Sequence, residues 1–368
     1  MAIHIAFTGG GTGGHVFPGI AVIEELRKKS DDIEIFWIGS GKKLERDITA
    51  RFDIPYYSLP AGKLRRYLSL RNFFDIFKLA AGFIGAIILL KRLNADLLFS
   101  KGGYVAVAPV LAAWVLRIPV VIHESDRDPG LATRISARYA DTILLPYART
   151  LEEHFSGSRK EVIVTGNPVR SELMRGSAER GRKLLNIKPG SKLVLVLGGS
   201  QGARQVNLLI AGLRDRLLQH AAIVHQMGAL DFVPSRVEGY ITAALFDSDF
   251  PDILAAADVV ISRAGAGTVW ENGVLGKAAV LIPLGNLSSR GDQVRNAELF
   301  VQEGAAEVLS GADATADRLL ERTLHILQDH KTRKSMGRNA LRICDPSASG
   351  RIADILLVKA GNKAREKV

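Results

Sequence analysis

Short runs of β-branched and aliphatic residues alternate along this chain with longer segments whose apolar positions recur every three to four residues. That alternation predicts an α/β protein with parallel sheets flanked by helices. Ile3–Thr8 reads as a strand, followed by a glycine loop at Gly9–Gly14 and a helix from about Pro18 to Lys29. Ile33–Ile38, Asp96–Ser100 and Pro119–His123 read as further strands, with a helix over Val105–Leu116. Asp141–Leu144 and Glu161–Thr165 close the first half. The order then restarts with strand Lys192–Leu197, glycine loop Gly198–Gly202 and helix Ala203–Gln219. Ala222–Gln226, Val259–Ser262 and Ala279–Pro283 follow as strands, with helices near Thr268–Leu275 and Gln293–Gln302. Strand, glycine loop and helix therefore occur twice, without the sequence identity of a repeat array. Two similar domains are expected, parted where Thr165-Gly166-Asn167-Pro168 punctuates the end of a strand.

Composition agrees with that size. The 368 residues are 47% hydrophobic and 24% charged, enough to bury two cores, which excludes a disordered or collagen-like chain. The single cysteine, Cys344, cannot form an internal disulfide and fits a reducing compartment. Residues Met1 to Thr8 lead into a glycine loop instead of a charged-then-apolar leader, so the cytoplasm is the expected compartment.

Charge adds a second theme. The formal net charge is +11, which suits nucleic acid, anionic lipid or phosphorylated small molecules. Between Gly62 and Arg92 stand seven basic residues, Lys63, Arg65, Arg66, Arg71, Lys78, Lys91 and Arg92, against one acid, Asp75. The same stretch carries Leu68, Phe73, Phe74 and Phe77, and basic with apolar reads as a lipid surface rather than nucleic acid. Its uncharged run, Leu79–Leu90, falls short of the roughly 20 residues a bilayer span needs. That run also reads as a buried helix of an α/β domain, and the two roles are compatible.

Three loops could receive anions. Gly9, Gly11 and Gly14 satisfy G-x-G-x-x-G between a strand and a helix, where close backbone approach and helix N-terminal N–H groups suit a diphosphate. Gly198-Gly199-Ser200-Gln201-Gly202 offers the same geometry, and Arg263-Ala264-Gly265-Ala266-Gly267-Thr268 opens a helix carrying Glu271. A dinucleotide-dependent oxidoreductase would need an acid at the end of the second strand, which instead ends Trp37-Ile38-Gly39-Ser40. Lys42 and Lys43 keep an NADP enzyme open as an alternative. A tight turn required for packing is the lesser reading of each loop by itself, and a weak one for the three together.

Seven segments, in order, resemble the MurG family of peptidoglycan glycosyltransferases. They are residues 10–18 (GGTGGHVFP), 101–105 (KGGYV), 123–126 (HESD), 166–170 (GNPVR), 198–203 (GGSQGA), 262–266 (SRAGA) and 291–297 (GDQVRNA). The resemblance implies a GT-B fold, two Rossmann-like domains with parallel sheets facing a cleft. Residues 1–166 would form the acceptor and membrane side, 167–345 would bind the donor, and 346–368 would return as a helix to the first domain. It implies inverting transfer of GlcNAc from UDP-GlcNAc to undecaprenyl-diphospho-muramoylpentapeptide (lipid I), giving lipid II, at the cytoplasmic face of the membrane. UDP-GlcNAc is a co-substrate here, and no cofactor and no metal are implied. Cell-wall synthesis and division proteins join the candidate partners, and nucleic acid does not.

Residue roles follow from the same resemblance. Glu271 would bond the ribose, Ser200 and Arg170 the donor diphosphate region, and Gln293 the GlcNAc hydroxyls. Ala266, Gly267, Thr268, Val269 and Trp270 would supply helix N-terminal amides near that diphosphate. The uracil would meet backbone near Phe246 and Asp247. Thr12, Gly13 and Gly14, nearest the acceptor diphosphate, would close the donor site from the first domain, while Gly10, Gly11, Gly102, Gly103 and Tyr104 would form the acceptor loop. At the membrane, Leu68, Phe73, Phe74 and Phe77 would insert, with Lys63, Arg65, Arg66 and Arg71 meeting anionic headgroups. The family often has Asn in the place of Asp126 and a Gln pair in the place of Asp292-Gln293.

An inverting transfer needs a base for the acceptor proton and stabilisation of the departing diphosphate. His15, directly after the glycine loop, is the first candidate base or acceptor-orienting group, set against a role in packing that loop. Asp126 and Glu124 are rival carboxylates; ionised Asp126 accepts from a sugar hydroxyl but cannot donate. Asp126-Arg127-Asp128 and Asp247-Ser248-Asp249 spell D-x-D, yet no histidine or cysteine spacing supports a metal centre. A GT-B transferase acting on another lipid, such as diacylglycerol, and a UDP-GlcNAc 2-epimerase remain alternatives, as does a catalytically silent peripheral membrane module.

Overall fold

A computed structural model of the chain describes residues 2–11, 13–62, 70–199, 202–285 and 291–366. They divide into two compact units, residues 1–170 with 346–368, and residues 171–345. Each unit is a parallel sheet with helices. The first sheet comprises β1 (Ile3–Thr8), β2 (Ile33–Gly39), β3 (Tyr56–Ser58), β4 (Leu97–Ser100), β5 (Val120–His123), β6 (Thr142–Leu145) and β7 (Glu161–Val164). Their order is β3-β2-β1-β4-β5-β6-β7. The second comprises β8 (Lys192–Leu197), β9 (Ala221–Gln226), β10 (Tyr240–Ala243), β11 (Val259–Ser262), β12 (Ala278–Leu281) and β13 (Ala306–Val308). It runs β10-β9-β8-β11-β12-β13.

Both sheets form because their central strands are apolar on both faces and are covered on both faces by helices. Ile5, Ala6 and Phe7 of β1, Leu97 to Phe99 of β4 and Leu193 to Val196 of β8 are fully buried. In the first unit α1 (Gly13–Lys29) places Val16, Ile20, Ile23 and Leu26 on β1 and on Trp37 of β2. Their spacing is that of one helical stripe, and burying each such side chain contributes about 1.5–3 kcal/mol. The helix Ala348–Glu366 lays Ile352, Ala353, Leu356 and Ala360 on the same core. Arg351 Nη2 donates to the Thr165 carbonyl at 2.7 Å, and Lys29–Asp354 and Lys359–Glu161 each close to 2.6 Å at the surface. The surface pairs add little beside the apolar contact.

Two further helices of the first unit are α2 (Lys43–Arg51) and α3 (Leu70–Arg92). The run Leu79–Leu90 lies in α3 and is buried on one stripe only. Ala86, Leu89 and Leu90 pack inward, while Phe77, Ile84 and Ile88 are about 60% exposed at 60%, 57% and 62%. Beside it runs α4 (Val107–Val115), preceded by a single 3-10 turn at Tyr104–Ala106. Among the described residues no helix is long and apolar enough to cross a membrane.

The sequence-based elements differ from the observed ones at the edges. Helix α1 starts at Gly13, five residues before Pro18, because the last two glycines of the loop form its first turn. Edge strands β3, β10 and β13 are absent from the sequence reading; each has only three or four residues, most of them half-exposed, and shows no alternation. In both sheets the chain order reverses beside the first strand, between β1 and β4 and between β8 and β11. Those switch points, at the carboxyl ends of parallel strands, are where this architecture opens a crevice for ligands.

Candidate functional site

The loop after β1 is shaped by glycine and held by a carboxylate. Gly11 has φ +95°, and a Cβ there would press on the Tyr104 ring. Glu45 of α2, 1% exposed, accepts from Gly11 N at 2.7 Å and Ser40 Oγ at 2.8 Å on Oε1, and from Ser40 N at 2.7 Å and Tyr56 Oη at 2.8 Å on Oε2. Burial and the bond to Glu45 push the Tyr56 hydroxyl pKa upward. Trp37 Nε1 donates to the Gly9 carbonyl at 3.0 Å, and Lys42 Nζ to the Gly11 carbonyl at 3.0 Å. Gly19 of α1 has no room for a Cβ, which would enter the Trp37 ring. Gly9 and Gly11 are therefore fastened on their protein side. Gly13 and Gly14 then open α1 with their amides in its first turn.

His15 follows. Its Nδ1 lies 3.1 Å from the Lys101 carbonyl, an acceptor only, so Nδ1 carries the proton and Nε2 is the basic nitrogen of the neutral ring. A Cβ on Gly103, at φ +81°, would meet the Gly10 carbonyl and the His15 imidazole edge, so Gly10 and Gly103 lie close to His15, while Tyr104 stands against Gly11. Asp126 sits in the loop after β5, half-buried. Its amide, with those of Ser125 and Gly130, is bonded by the Glu124 carboxylate at 2.7–3.0 Å. Glu124 thus builds the loop, which separates it from its rival Asp126.

Arg170 belongs to the first unit and stacks on Phe17 of α1, guanidinium carbon 4.8 Å from the ring centroid. Asp128, Glu153 and His154 bring ligand atoms within 4.8 Å of one another. Glu153 Oε1 already accepts from Arg127 at 2.8 Å and Arg149 at 3.1 Å, which depresses its pKa, so the trio does not suit a cation.

In the second unit Gly199 and Gly202 take φ +74° and +92°. Behind them a polar chain runs through the core. Tyr240 Oη donates to His225 Nδ1 at 2.9 Å, His225 Nε2 to Asn207 Oδ1 at 3.0 Å, and Asn207 Nδ2 to Met227 O at 3.0 Å and Asp231 at 2.9 Å. Burial lowers the His225 pKa to about 4, below an unfolded value near 6.5. Between those values the unfolded chain binds more protons, so His225 contributes stability that is complete above about pH 6.5 and lost as pH falls toward 4. Melting temperatures from pH 7.5 to 4.5 should fall more steeply for the parent chain than for His225→Gln.

The loop after β11 leads into the helix Ala266–Val274, entered through Gly265 without any side-chain cap. Arg263 Nη1 braces the loop by donating to Gln205 Oε1 at 2.8 Å and the Ile282 carbonyl at 2.9 Å, and Asn296 Nδ2 donates to Ala264 O at 3.2 Å. Ala266, Val269 and Trp270 are buried, Gly267 and Thr268 half-buried, and Glu271 half-buried on the same helix. Gly273 is required behind it, because a Cβ would enter the Cys344 side chain. Gln293 accepts from Leu284 N at 2.9 Å, which fixes its carboxamide. Asp247 is exposed in the turn before the helix Phe250–Ala256, and the Phe246 amide is given to Gln226 Oε1 at 3.0 Å.

Thr12, Lys63, Arg65, Arg66, Leu68 and Ser200 lie outside the described residues, as do the side chains of Arg71, Phe73 and Phe74. Glu45, Lys101 and the Asn207–His225 pair were missed by sequence reasoning. A charged Lys101 closing the apolar β4 was the one local signal.

Two doubly wound lobes with glycine turns at both switch points define a GT-B-type fold for nucleotide-sugar chemistry. Residues 5–145 match the glycosyltransferase family 28 N-terminal domain and residues 193–352 its C-terminal domain. This chain belongs to glycosyltransferase family 28. It is 45% identical to the UDP-N-acetylglucosamine–N-acetylmuramyl-(pentapeptide) pyrophosphoryl-undecaprenol N-acetylglucosamine transferase of Treponema denticola, covering 85% of each chain. It is 40% identical to the protein named transferase 2 of the same kind from Bacillus thuringiensis, over 92% of this chain and 97% of that one. The crystal structure of Acinetobacter baumannii MurG superposes with a TM-score of 0.72 at 27% identity, covering 96% and 99%. A UDP-GlcNAc 2-epimerase from Neisseria meningitidis shares the fold at 18% identity, TM-score 0.69, covering 97% and 100%.

Proposed function

We infer that this chain transfers N-acetylglucosamine from UDP-GlcNAc to the muramoyl 4-hydroxyl of undecaprenyl-diphospho-muramoylpentapeptide, with inversion at the anomeric carbon. The observation that carries the reading is the pairing of both family-28 domains with 40–45% identical relatives that bear this activity's name. His15 Nε2 takes the proton of the acceptor hydroxyl as its oxygen attacks the anomeric carbon. The bond to the diphosphate breaks on the opposite side, and its electron pair leaves on UDP. Asp126 accepts from a sugar hydroxyl and orients it.

The donor rests on the second unit. Glu271 accepts from the ribose hydroxyls, Gln293 meets the GlcNAc hydroxyls, and backbone near Asp247 faces the uracil. First-turn amides of Ala266–Val274, helped by Ser200 and Arg170, meet the diphosphate charge as it develops. Gly10, Gly11, Gly102, Gly103 and Tyr104 line the acceptor diphosphate, and Gly13 and Gly14 of the same unit offer it amides. Labelled UDP-GlcNAc and a short-prenyl analogue of the acceptor should yield one disaccharide-bearing lipid for each UDP released. UDP release without a disaccharide, or epimerised sugar in its place, would overturn the reading.

The acceptor's polyprenyl tail stays in a bilayer, which gives α3 a purpose. Exposed Phe77, Ile84 and Ile88 stand on a helix that has Arg71 as its second residue, ends in Lys91 and Arg92 and follows Lys63, Arg65 and Arg66 in the sequence. The chain should float with anionic vesicles at low salt and detach at high salt, and Arg65→Glu with Arg66→Glu should weaken flotation. Unchanged flotation would remove this surface from the account.

A further inference from the structure

Lys101 is 1% exposed at the end of β4, an ammonium where an apolar residue would pack at less cost. Its two ends reach different parts of the site. At the backbone end, Lys101 N donates to Thr8 O at 2.8 Å, and the Lys101 carbonyl accepts from His15 Nδ1 at 3.1 Å. At the side-chain end, Nζ lies 2.6 Å from His123 Nδ1 and donates to Ser125 Oγ at 2.8 Å. His123 Nε2 is engaged by the Gly166 carbonyl at 2.9 Å, so its proton sits there and Nδ1 accepts from the lysine. Asn167 Nδ2 donates to Ser125 O at 2.8 Å, fastening the other side of the same loop.

We propose that Lys101 is a positioning residue of the transfer reaction, coupling His15 through its carbonyl to the Asp126 loop through its ammonium. This rests on the assignment of His15 and Asp126 to the reacting centre. The carbonyl fixes the imidazole tautomer, with Nε2 ready to take a proton. The ammonium holds the loop 123–126 in place and attracts Asp126, the acceptor for a sugar hydroxyl.

The electrostatics run the same way. The titratable groups facing the ammonium are His123, from β5, and Glu124 and Asp126, from the loop after it; His15, from α1, meets the residue only at its carbonyl. Burial lowers the Lys101 pKa to about 7, while Glu124 and Asp126 pull it back up. Burial first, and then Lys101, hold His123 neutral by lowering its pKa. The Ser125 and Asp126 amides both donate to Glu124 Oε1, so the same loop that the ammonium holds at Ser125 is also held by Glu124.

Lys101→Met tests this, since methionine fills the space and keeps the carbonyl. Expected are a kcat lower by about tenfold to a hundredfold, a donor affinity unchanged within about twofold, and an acidic limb of the pH–rate profile moved to higher pH. The limb moves because the site has lost a cation, whose removal favours the protonated form of the groups that must be deprotonated for turnover. The melting temperature of the variant separates this from a folding defect. If Lys101→Met is poorly folded, Lys101→Leu and Ser125→Ala, which removes one contact of the ammonium, are scored by the same profile. A folded variant with the parent's kcat and acidic limb overturns the proposal. The underlying assignment is tested separately: His15→Ala and Asp126→Asn with full turnover would remove the reacting centre itself, whatever Lys101→Met does.

Discussion

Replacing His15 by alanine is expected to lower kcat by about 10²- to 10⁴-fold while leaving the affinity for UDP-GlcNAc close to that of the parent chain. The ring is held in one tautomer. Its Nδ1 proton is committed to the Lys101 carbonyl, so the neutral ring keeps its basic nitrogen at Nε2 without a tautomer change. The imidazole stands beside Gly10 and Gly103, which have no side chains to shield it. Steady-state kinetics with donor and acceptor varied separately would check the result. A rise in the donor KM with unchanged kcat would assign His15 to donor binding, and parent-like kinetics would return it to loop packing.

The second large effect is expected at Glu271. Removing the carboxylate in Glu271→Ala should weaken UDP-GlcNAc binding by about 10- to 100-fold, because each hydrogen bond from a ribose hydroxyl to a charged acceptor contributes about 1.5–3 kcal/mol. The backbone beneath is anchored by Trp270 and Asn272, 1% and 3% exposed, so the helix should survive the change. At saturating donor, turnover should move little, the opposite pattern to His15→Ala. Calorimetric titration with UDP reads the effect directly, and an unchanged dissociation constant would withdraw the assignment.

Much of the architecture could be read from the chain, for a physical reason. Strands β1 and β8 are unbroken apolar runs because both their faces are covered, and the glycines after them mark turns that side chains would obstruct. The edge strands could not be read. Tyr56–Ser58 and Ala306–Val308 are three residues long, too short for a period to show. In α3 a uniformly apolar run concealed a difference that only packing reveals, with Leu90 inside and Ile88 outside.

The site was legible in its loops and silent in its supports. Gly9–Gly14 and Arg263–Thr268 announce themselves by composition, whereas Glu45 grips Gly11 across 34 positions and Lys101 reaches His123 across 22. No local spacing encodes such partners. They are created when parallel strands bring distant carboxyl ends together, which is why buried polar groups behind a loop escape a motif search.

We propose that the second unit grips the sugar nucleotide while the first receives the acceptor. Crystals soaked with UDP measure it most directly. The ribose is expected on Glu271 and the diphosphate at the first turn of Ala266–Val274. UDP seated on the Gly9–Gly14 loop, with residues 263–271 unoccupied, would contradict it.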